Sequence, residues 1–332
     1  MRRGVVVRLV VVGLAASAVA LCVALFIPWL PTPASREADR IDFVFWFVSG
    51  ISIAIFGLVA AVILIAVVRF RVRPDDDSDG PPIHGHTGLE IVWTAVPAVL
   101  VTAISVVSAV ALAQNDSLPR KHLTVDVLAQ QFYWSFTYPK YHNLTSSVLR
   151  LPVNEAVQLR ITARKNDVIH SFWVPQFRQK QDAVPGLVRT IVITPDRTGT
   201  WAVVCTELCG LGHALMRARV VVMRKAAFAA WVGAAPKQTG GGKAVFVNNG
   251  CSSCHTFKPA GASATIGPDL DKLPAEARKA GQPLEQFVRE SIVHPNAYIE
   301  PHYPPNLMPQ TFESLPKSQL DALVRFLMGK GK

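Results

Sequence analysis

The stretch that decides the fold is Cys205–Met216, which reads C-T-E-L-C-G-L-G-H-A-L-M. Two cysteines four residues apart are followed, within seven residues, by His213 and Met216. Thiolate, imidazole and thioether groups are soft or borderline ligands, and they suit copper or zinc far better than calcium or magnesium. An upstream segment, N-D-V-I-H-S-F-W-V-P at 166–175, offers a second histidine, His170, among apolar residues. This set of side chains predicts a metal site.

Simpler interpretations of the same residues exist. The two cysteines could form a disulfide in an exported domain, or a zinc site together with the two histidines. Met216 alone is more often a core residue than a ligand. A single blue-copper centre needs one cysteine, whereas two thiolates in one tight loop can bridge two copper ions. Each ion would then take one histidine and one weak donor, such as the Met216 sulfur or the backbone carbonyl of Glu207.

The pattern C-x-E-x-C-G-x-x-H-x-x-M is similar to the dinuclear copper (CuA) loop of subunit II of the haem–copper cytochrome oxidases. This resemblance implies a cupredoxin-like β-barrel or sandwich that holds two copper ions. The ligands that it implies are His170, Cys205, Glu207, Cys209, His213 and Met216. It also implies that the Glu207 carboxylate reaches a magnesium ion at the contact with subunit I.

The composition of the 332-residue chain is half hydrophobic, with 17% charged residues and a net charge of +11. This is too apolar for an ordinary soluble protein and predicts membrane spans. A basic chain can bind nucleic acid, but several arginines here stand beside apolar runs, where they fit membrane orientation. We therefore expect membrane lipid, and no nucleic acid, as a partner. Four of the five cysteines fall into two pairs with metal-site or haem-site spacing, unlike a disulfide framework.

The N-terminal part of the chain is predicted to lie in a membrane. Residues 1–34 begin with arginines and continue into an apolar run, which is typical of a signal peptide or a retained signal-anchor. A two-helix transmembrane hairpin is predicted over 43–113. Three arginines at 69–73, between its helices, mark the cytoplasmic side. We expect a multi-pass protein of a bacterial inner membrane, with everything after residue 114 on the periplasmic or outer side.

Glu90 stands at the start of the second helix of the hairpin, in L-E-I-V-W-T-A-V-P-A. The helix dipole alone would favour a carboxylate at this position. The segment also resembles the subunit II span that precedes the copper domain in this family. The matching glutamate there lies at the mouth of a proton path into subunit I, and the resemblance implies that role for Glu90.

The middle of the chain predicts strands. Short alternating stretches such as Leu123–Val127 indicate a sandwich or barrel over 120–224. The aromatic run Q-F-Y-W-S-F-T-Y is expected to be mostly core, and Phe132 stands where the family has a tryptophan that takes electrons from cytochrome c. Residues 225–242, which end in a glycine-rich stretch, are predicted to be a linker to a separate domain over 243–332.

A second redox motif, C-S-S-C-H, begins this last domain and is the c-type haem attachment signature. Cys251 and Cys254 would form thioethers to the haem, and His255 would be the proximal iron ligand. A thioredoxin-like redox pair and half of a zinc site are alternatives. However, no βαβ pattern surrounds the motif and no second cysteine pair follows it.

The sixth ligand of a carrier haem is often methionine, which raises the potential. Met308, in a loop before the last helix, is the predicted ligand. Met328 fits the packing pattern of that helix, and His302 would lower the potential, so these two are the alternatives. The turn Gly267–Leu270 resembles the G-P-x-L turn of small cytochromes c. It implies an all-α class I cytochrome c domain in which the Pro268 carbonyl accepts the N–H of the proximal histidine.

The order of spans, copper domain, linker and cytochrome c resembles subunit II of a cytochrome c oxidase with a fused cytochrome c. This implies the electron-accepting subunit of a proton-translocating oxidoreductase, associated with subunit I and the other subunits of the complex. Electrons would pass from an external donor, such as a quinol–cytochrome c reductase, to haem c, then to CuA and on to the dioxygen-reducing site of subunit I. An alternative is a membrane-anchored electron carrier for another terminal reductase.

Overall fold

The computed structural model describes residues 3–71, 82, 85–234, 241–308 and 310–330. The chain divides into two compact units. The first comprises Met1–Thr32 and Asp39–Asn115, and the second comprises Pro33–Ala38 and Asp116–Lys332. The first unit is helical, whereas the second contains a β-sandwich and a small helical domain.

The first unit is built from three long apolar helices, α1 (Arg3–Phe26), α2 (Arg36–Arg69) and α3 (Thr87–Asn115). Each is long and apolar enough to cross a membrane. The last two form the predicted hairpin, in which Arg40 Nη1 donates to Asn115 Oδ1 at 3.0 Å. The residues predicted to be a signal peptide or anchor supply the third apolar helix.

Small residues let α1 and α2 approach each other closely. A Cβ added at Gly57 would overlap the Ser17 hydroxyl and lie 2.8 Å from the carbonyl oxygen of Gly13. The Ser17 hydroxyl also donates to the carbonyl of Ile53 at 3.5 Å. Contact through glycine and serine is the usual packing of helices in a membrane, where apolar bulk gives no driving force. The α1 helix is therefore packed on α2 as one membrane span packs on another.

In the described part of the second unit, ten strands form the predicted sandwich. They are β1 (Leu123–Gln130), β2 (Tyr133–Tyr138), β3 (Leu144–Ser146), β4 (Val148–Pro152), β5 (Val157–Ala163), β6 (His170–Trp173), β7 (Lys180–Ala183), β8 (Arg189–Ile193), β9 (Gly199–Cys205) and β10 (Arg217–Met223). One sheet has the order β3-β2-β1-β5-β8 and the other β4-β10-β9-β6-β7. β1 pairs antiparallel with β2 and parallel with β5.

One hydrophobic core fills the space between the two sheets. Alternate residues of a strand face opposite sides of its sheet, so β2 sends Trp134, Phe136 and Tyr138 into this core. The aromatic run is thus mostly core, as expected. Tyr133, at the start of the same strand, is buried but is not part of this core.

Helix α4 (Lys225–Ala234) occupies the first part of the predicted linker. Phe228 is buried, and its ring centroid lies 6.2 Å from that of Tyr138 and 5.6 Å from that of Trp231. The prediction of a linker from residue 225 is therefore wrong as far as Ala234, because two aromatic residues at helical spacing attach this segment to the sandwich. The rest of the predicted linker, at 235–240, lies outside the described residues.

The C-terminal domain has a hydrophobic core of its own. Its helices are α5 (Gly242–Asn248), α6 (Cys251–Cys254), α7 (Leu273–Lys279), α8 (Leu284–Val293) and α9 (Lys317–Leu327). A pair of two-residue strands, β11 (Thr256–Phe257) and β12 (Ala262–Ser263), adds to the predicted all-α fold. Gly242 allows α5 to touch α9, since a Cβ there would overlap the Ala322 carbonyl.

Candidate metal and haem sites

Strand pairing assembles the first site from distant parts of the sequence. His170 begins β6, Cys205 ends β9, and the two strands pair with Phe172 opposite Cys205. The amide of Cys205 donates to the carbonyl of Met216 at 3.3 Å, which closes the loop between β9 and β10. The remaining predicted ligands lie in this closed loop.

Four of the predicted ligands form a row of donor atoms. His170 Nδ1 lies 3.9 Å from Cys205 Sγ, and that sulfur lies 3.9 Å from Cys209 Sγ. Cys209 Sγ in turn lies 3.5 Å from the Nδ1 atom of His213. The two sulfurs are therefore central and the two imidazoles are at the ends.

Two weaker donors complete the set. The Met216 thioether sulfur is 3.8 Å from Cys209 Sγ, and the backbone carbonyl of Glu207 is 3.2 Å from Cys205 Sγ. Met216 is fully buried. The Glu207 residue is exposed, so its carboxylate faces away from the sulfurs' buried surroundings. The structure thus brings together all six residues that the sequence singled out.

A hydrogen bond between the two thiols shifts their pKa values in opposite directions. This bond lowers the pKa of Cys205 and raises the pKa of Cys209. One sulfur of the pair is therefore readily deprotonated while the other keeps the proton. A thiolate is the form of cysteine that binds a metal, and metal binding displaces the remaining proton. The pair is therefore suited to bind a metal cation.

Asp167 is a site residue that the sequence analysis did not identify. Its carboxylate lies 3.5 Å from His170 Nε2 and accepts hydrogen bonds from the amides of Gln131, at 2.8 Å, and Val168, at 2.7 Å. Burial raises the pKa of Asp167, but the adjacent His170 ring and the hydrogen bonds from the two amides outweigh it and hold the pKa below its usual value. The spacing of three residues in N-D-V-I-H was the available signal.

This contact fixes which nitrogen of His170 is available to a metal. Asp167 faces Nε2, so Nδ1 is directed at the Cys205 sulfur, as in metal sites where a carboxylate orients a histidine. The Trp134 ring centroid lies 6.3 Å from that of His170, and the Trp134 ring also packs edge-on against Phe172 at 5.6 Å. These rings place apolar surface beside His170. The donor types, the free Nδ1 and the dry surroundings fit bound copper.

A cavity in the C-terminal domain is lined by the second predicted set, Cys251, Cys254, His255 and Met308. The two alternatives for the sixth ligand, Met328 and His302, are not among its lining residues. Burial raises the pKa of the Cys251 thiol to about 12 and that of Cys254 to about 11, so both are neutral thiols at physiological pH.

The hydrogen bond predicted at Pro268 is present. His255 Nδ1 lies 2.8 Å from the Pro268 carbonyl oxygen, and a carbonyl can only accept. Nδ1 therefore carries the proton, which leaves Nε2 as the free ligand atom. Gly267 permits this geometry, because a Cβ there would lie 2.7 Å from Cε1 of the His255 ring. The paired thiols, the oriented imidazole and the apolar cavity fit a covalent haem; ligation by Met308 stays a prediction.

Glu90 has a structural explanation in the first turn of α3. Its Oε1 atom accepts a hydrogen bond from the amide of His86 at 3.2 Å, which is a helix-capping contact. A role in a proton path stays a prediction. The same holds for magnesium at Glu207.

Three family models match the chain. They are "Cytochrome C oxidase subunit II, transmembrane domain" over residues 23–110, "Cytochrome C oxidase subunit II, periplasmic domain" over 144–224 and "Cytochrome c" over 241–330. The predicted copper ligands lie within the second match and the C-S-S-C-H motif within the third.

Relatives of known type agree. The cytochrome c oxidase subunit 2 of Synechocystis is 33% identical over 258 residues, which are 63% of this chain and 77% of that protein. The subunit 2 of a Bacillus species is 32% identical over 294 residues, 78% of this chain and 79% of that protein. The crystal structure of the periplasmic domain of subunit II of cytochrome oxidase from Bradyrhizobium japonicum is 30% identical and covers 36% of this chain and 96% of its own, with a TM-score of 0.34. The chain therefore belongs to the cytochrome c oxidase subunit 2 family, as a membrane-bound component of the haem–copper oxidoreductases with a C-terminal cytochrome c domain.

Proposed function

We propose that this chain is the electron-accepting subunit of its oxidase. It takes electrons from an external donor, such as a quinol–cytochrome c reductase, at a haem c held by residues 251–255 with Met308 as sixth ligand. It passes them through a dinuclear CuA centre to the dioxygen-reducing site of subunit I, in a reaction coupled to proton translocation. The observation that carries this proposal is the row of donor atoms from His170 through two sulfurs to His213, with neighbours 3.5 to 3.9 Å apart.

The shape of this row favours two ions over one. The ligand atoms of His170, Cys205 and Cys209 all lie within 4.8 Å of one another, and His213 is not in that group although it lies 3.5 Å from Cys209. A single tetrahedral zinc has ligand bonds of about 2.0–2.3 Å, which hold all four donors close to one another. Two ions bridged by the central sulfurs would instead leave one histidine at each end. This supports CuA over a structural zinc site.

The chain's own residues hold these groups rather than react with them. Cys205 and Cys209 would hold the copper ions through their thiolates, Met216 and the Glu207 carbonyl would supply weaker donors, and Asp167 keeps the His170 ring in position. When bound, the copper pair and the haem supply one-electron transfer, and neither needs an open coordination position.

The proposal also covers the surroundings of the two sites. The copper and haem domains lie on the periplasmic side of a bacterial inner membrane, because the arginines after α2 belong on the cytoplasmic side. Subunit I and membrane lipid contact the apolar spans. Glu90 receives protons on the cytoplasmic side, and the exposed Glu207 carboxylate shares a magnesium ion with subunit I.

A metal analysis with matched cysteine variants tests the function. We expect two copper ions and one covalent haem per purified full-length chain, with a mixed-valence two-copper electron paramagnetic signal. Cys205→Ser should abolish the copper signal and leave the haem band. The control is Cys22→Ser, at an exposed cysteine of α1, which should change neither. Zinc, or one copper per chain, would contradict the dinuclear site.

A further inference from the structure

The segment between α8 and α9 brings Met308, the predicted sixth ligand, to the cavity of the C-terminal domain. Tyr298, Tyr303 and Leu307 of the same segment also line this cavity. Residues 294–308, all of which the structure describes, are in neither a helix nor a strand. Hydrogen bonds from side chains therefore take the place of a regular backbone ladder in holding this segment.

The start of the segment is attached to two helices. The Tyr298 hydroxyl donates a hydrogen bond to Glu276 of α7 at 3.0 Å, and the Tyr298 ring centroid lies 5.2 Å from that of Phe287 of α8. Asn296 stands two residues earlier, in the turn that follows α8. Because both helices contribute to the hydrophobic core of the domain, Asn296 is a firm point of attachment for the residues that follow.

Asn296 holds Asn306 by two hydrogen bonds. Asn296 Oδ1 accepts from the Asn306 amide at 2.8 Å, and Asn296 Nδ2 donates to Asn306 Oδ1 at 2.7 Å. Gln310 Nε2 donates to the same Oδ1 atom at 3.2 Å. Asn306 has a φ of +61°, a left-handed conformation that asparagine adopts more readily than most residues. Met308 therefore lies between two residues that are bonded to each other, and one of them is bonded to Asn296.

The side chain of Met308 does not fix its own position. Methionine is unbranched and has three rotatable bonds, so it adapts to its surroundings rather than determining them. A thioether is also a soft ligand and suits oxidised iron less well than an imidazole does. Its binding therefore depends on a backbone that keeps the sulfur near the iron, which raises the local concentration of the ligand.

We propose that Asn296 and Asn306 form a clamp that positions Met308 as the sixth ligand of the haem. The inference rests on the proposed function, since it takes a haem c with Met308 as its ligand. Asn296 and Asn306 act through the backbone of Met308, so they are positioning residues. Such a clamp keeps small ligands from solvent out of the sixth position, because they must displace a methionine that is already in place.

Competition by imidazole tests the clamp in the full-length, detergent-solubilised chain with its haem oxidised. Imidazole reaches the iron only after Met308 has left, so its apparent affinity measures how well Met308 is held. Asn296→Ala removes both hydrogen bonds to Asn306. We expect this variant to raise the imidazole affinity about tenfold, equivalent to about 1.4 kcal/mol, as read from the haem absorption spectrum.

Asn306→Gly is a second variant, which preserves the backbone of the segment. Glycine adopts the left-handed conformation and retains the amide that donates to Asn296, but it lacks the Oδ1 acceptor. We expect the imidazole affinity to rise about threefold, which corresponds to half of the free-energy change in Asn296→Ala. Both variants should also weaken the charge-transfer absorption band that is typical of methionine bound to oxidised haem.

Gln282→Ala is the matched control. Gln282 Nε2 donates to Glu290 of α8 at 2.7 Å, outside the described lining of the cavity, and we expect its loss to leave the imidazole affinity unchanged. An equal rise in Gln282→Ala and Asn296→Ala, or no rise in either clamp variant, would overturn the inference. If Asn296→Ala fails to attach haem, Asn306→Gly decides the question. A wild-type chain that lacks covalent haem or the methionine band would instead overturn the proposed function.

Discussion

Replacing Phe228 by alanine tests whether α4 belongs to the copper domain. The side chain is 4% exposed and lies among three aromatic rings, those of Tyr138, Tyr141 and Trp231, at centroid distances of 6.2, 5.9 and 5.6 Å. A buried phenylalanine truncated to alanine loses its transfer free energy and leaves a cavity, which together cost about 3–5 kcal/mol. Since a domain is stable by only about 5–15 kcal/mol, the loss should be easy to measure.

The assay is denaturant unfolding of the full-length chain in detergent, followed by near-ultraviolet circular dichroism of the aromatic residues. The control is Lys225→Ala on the same helix. That lysine is 59% exposed and 3.9 Å from Glu155, so its loss should cost less than about 1 kcal/mol. Equal unfolding free energies for the Phe228 and Lys225 variants would refute the reasoning. Residues 225–234 would then contribute nothing to the sandwich and would be a linker after all.

Three further predictions concern other parts of the molecule. Gly267→Ala should push the His255 ring away from the Pro268 carbonyl and break their hydrogen bond. The imidazole would then be a weaker electron donor to the iron, and the haem reduction potential should rise in a redox titration. The rise should be up to about 40 mV, which is the equivalent of one hydrogen bond of about 1 kcal/mol. The hydrogen bond from Lys279 lowers the pKa of Glu276 in the folded chain. The ionised carboxylate therefore stabilises the C-terminal domain at pH values above its unfolded pKa, and this contribution is lost as the pH falls through the folded pKa. Glu276→Gln should make the thermal unfolding temperature of this domain depend less on pH in the acid range. Gly57→Leu should separate α1 from α2 and raise hydrogen exchange in α1, whereas Gly50→Leu, at a position with open space, should not.

Local spacing predicted the candidate sites because most of their residues lie in short segments. Five of the six copper ligands fall within twelve residues, and the haem motif is five residues long. His170 is 35 residues from Cys205 and joins the site only because β6 pairs with β9. Spacing alone does not encode that pairing, so the sequence offers His170 as a candidate ligand without showing how it reaches the loop. Asp167 was missed for a related reason: a carboxylate in a loop becomes a positioning group only when folding buries it against a ring.

Alternation predicted the strands of the sandwich but not their order in the two sheets. The same alternation could have separated Tyr133 from Trp134, since neighbours on a strand face opposite sides. The aromatic run is expected to be mostly core, and Tyr133, which is buried but lies outside the sandwich core, is the exception. The linker prediction failed in a similar way. Alanine and glycine dominate 225–242, yet Phe228 and Trp231 three residues apart were the signal of a packed helix.

The position of α4 limits where the cytochrome c domain can go. α4 ends at Ala234 and α5 begins at Gly242, so the tether between them is residues 235–241. Seven residues span at most about 25 Å when fully extended. Because Phe228 fixes α4 on the sandwich, the haem domain cannot leave that neighbourhood, and its effective concentration there is roughly millimolar or higher.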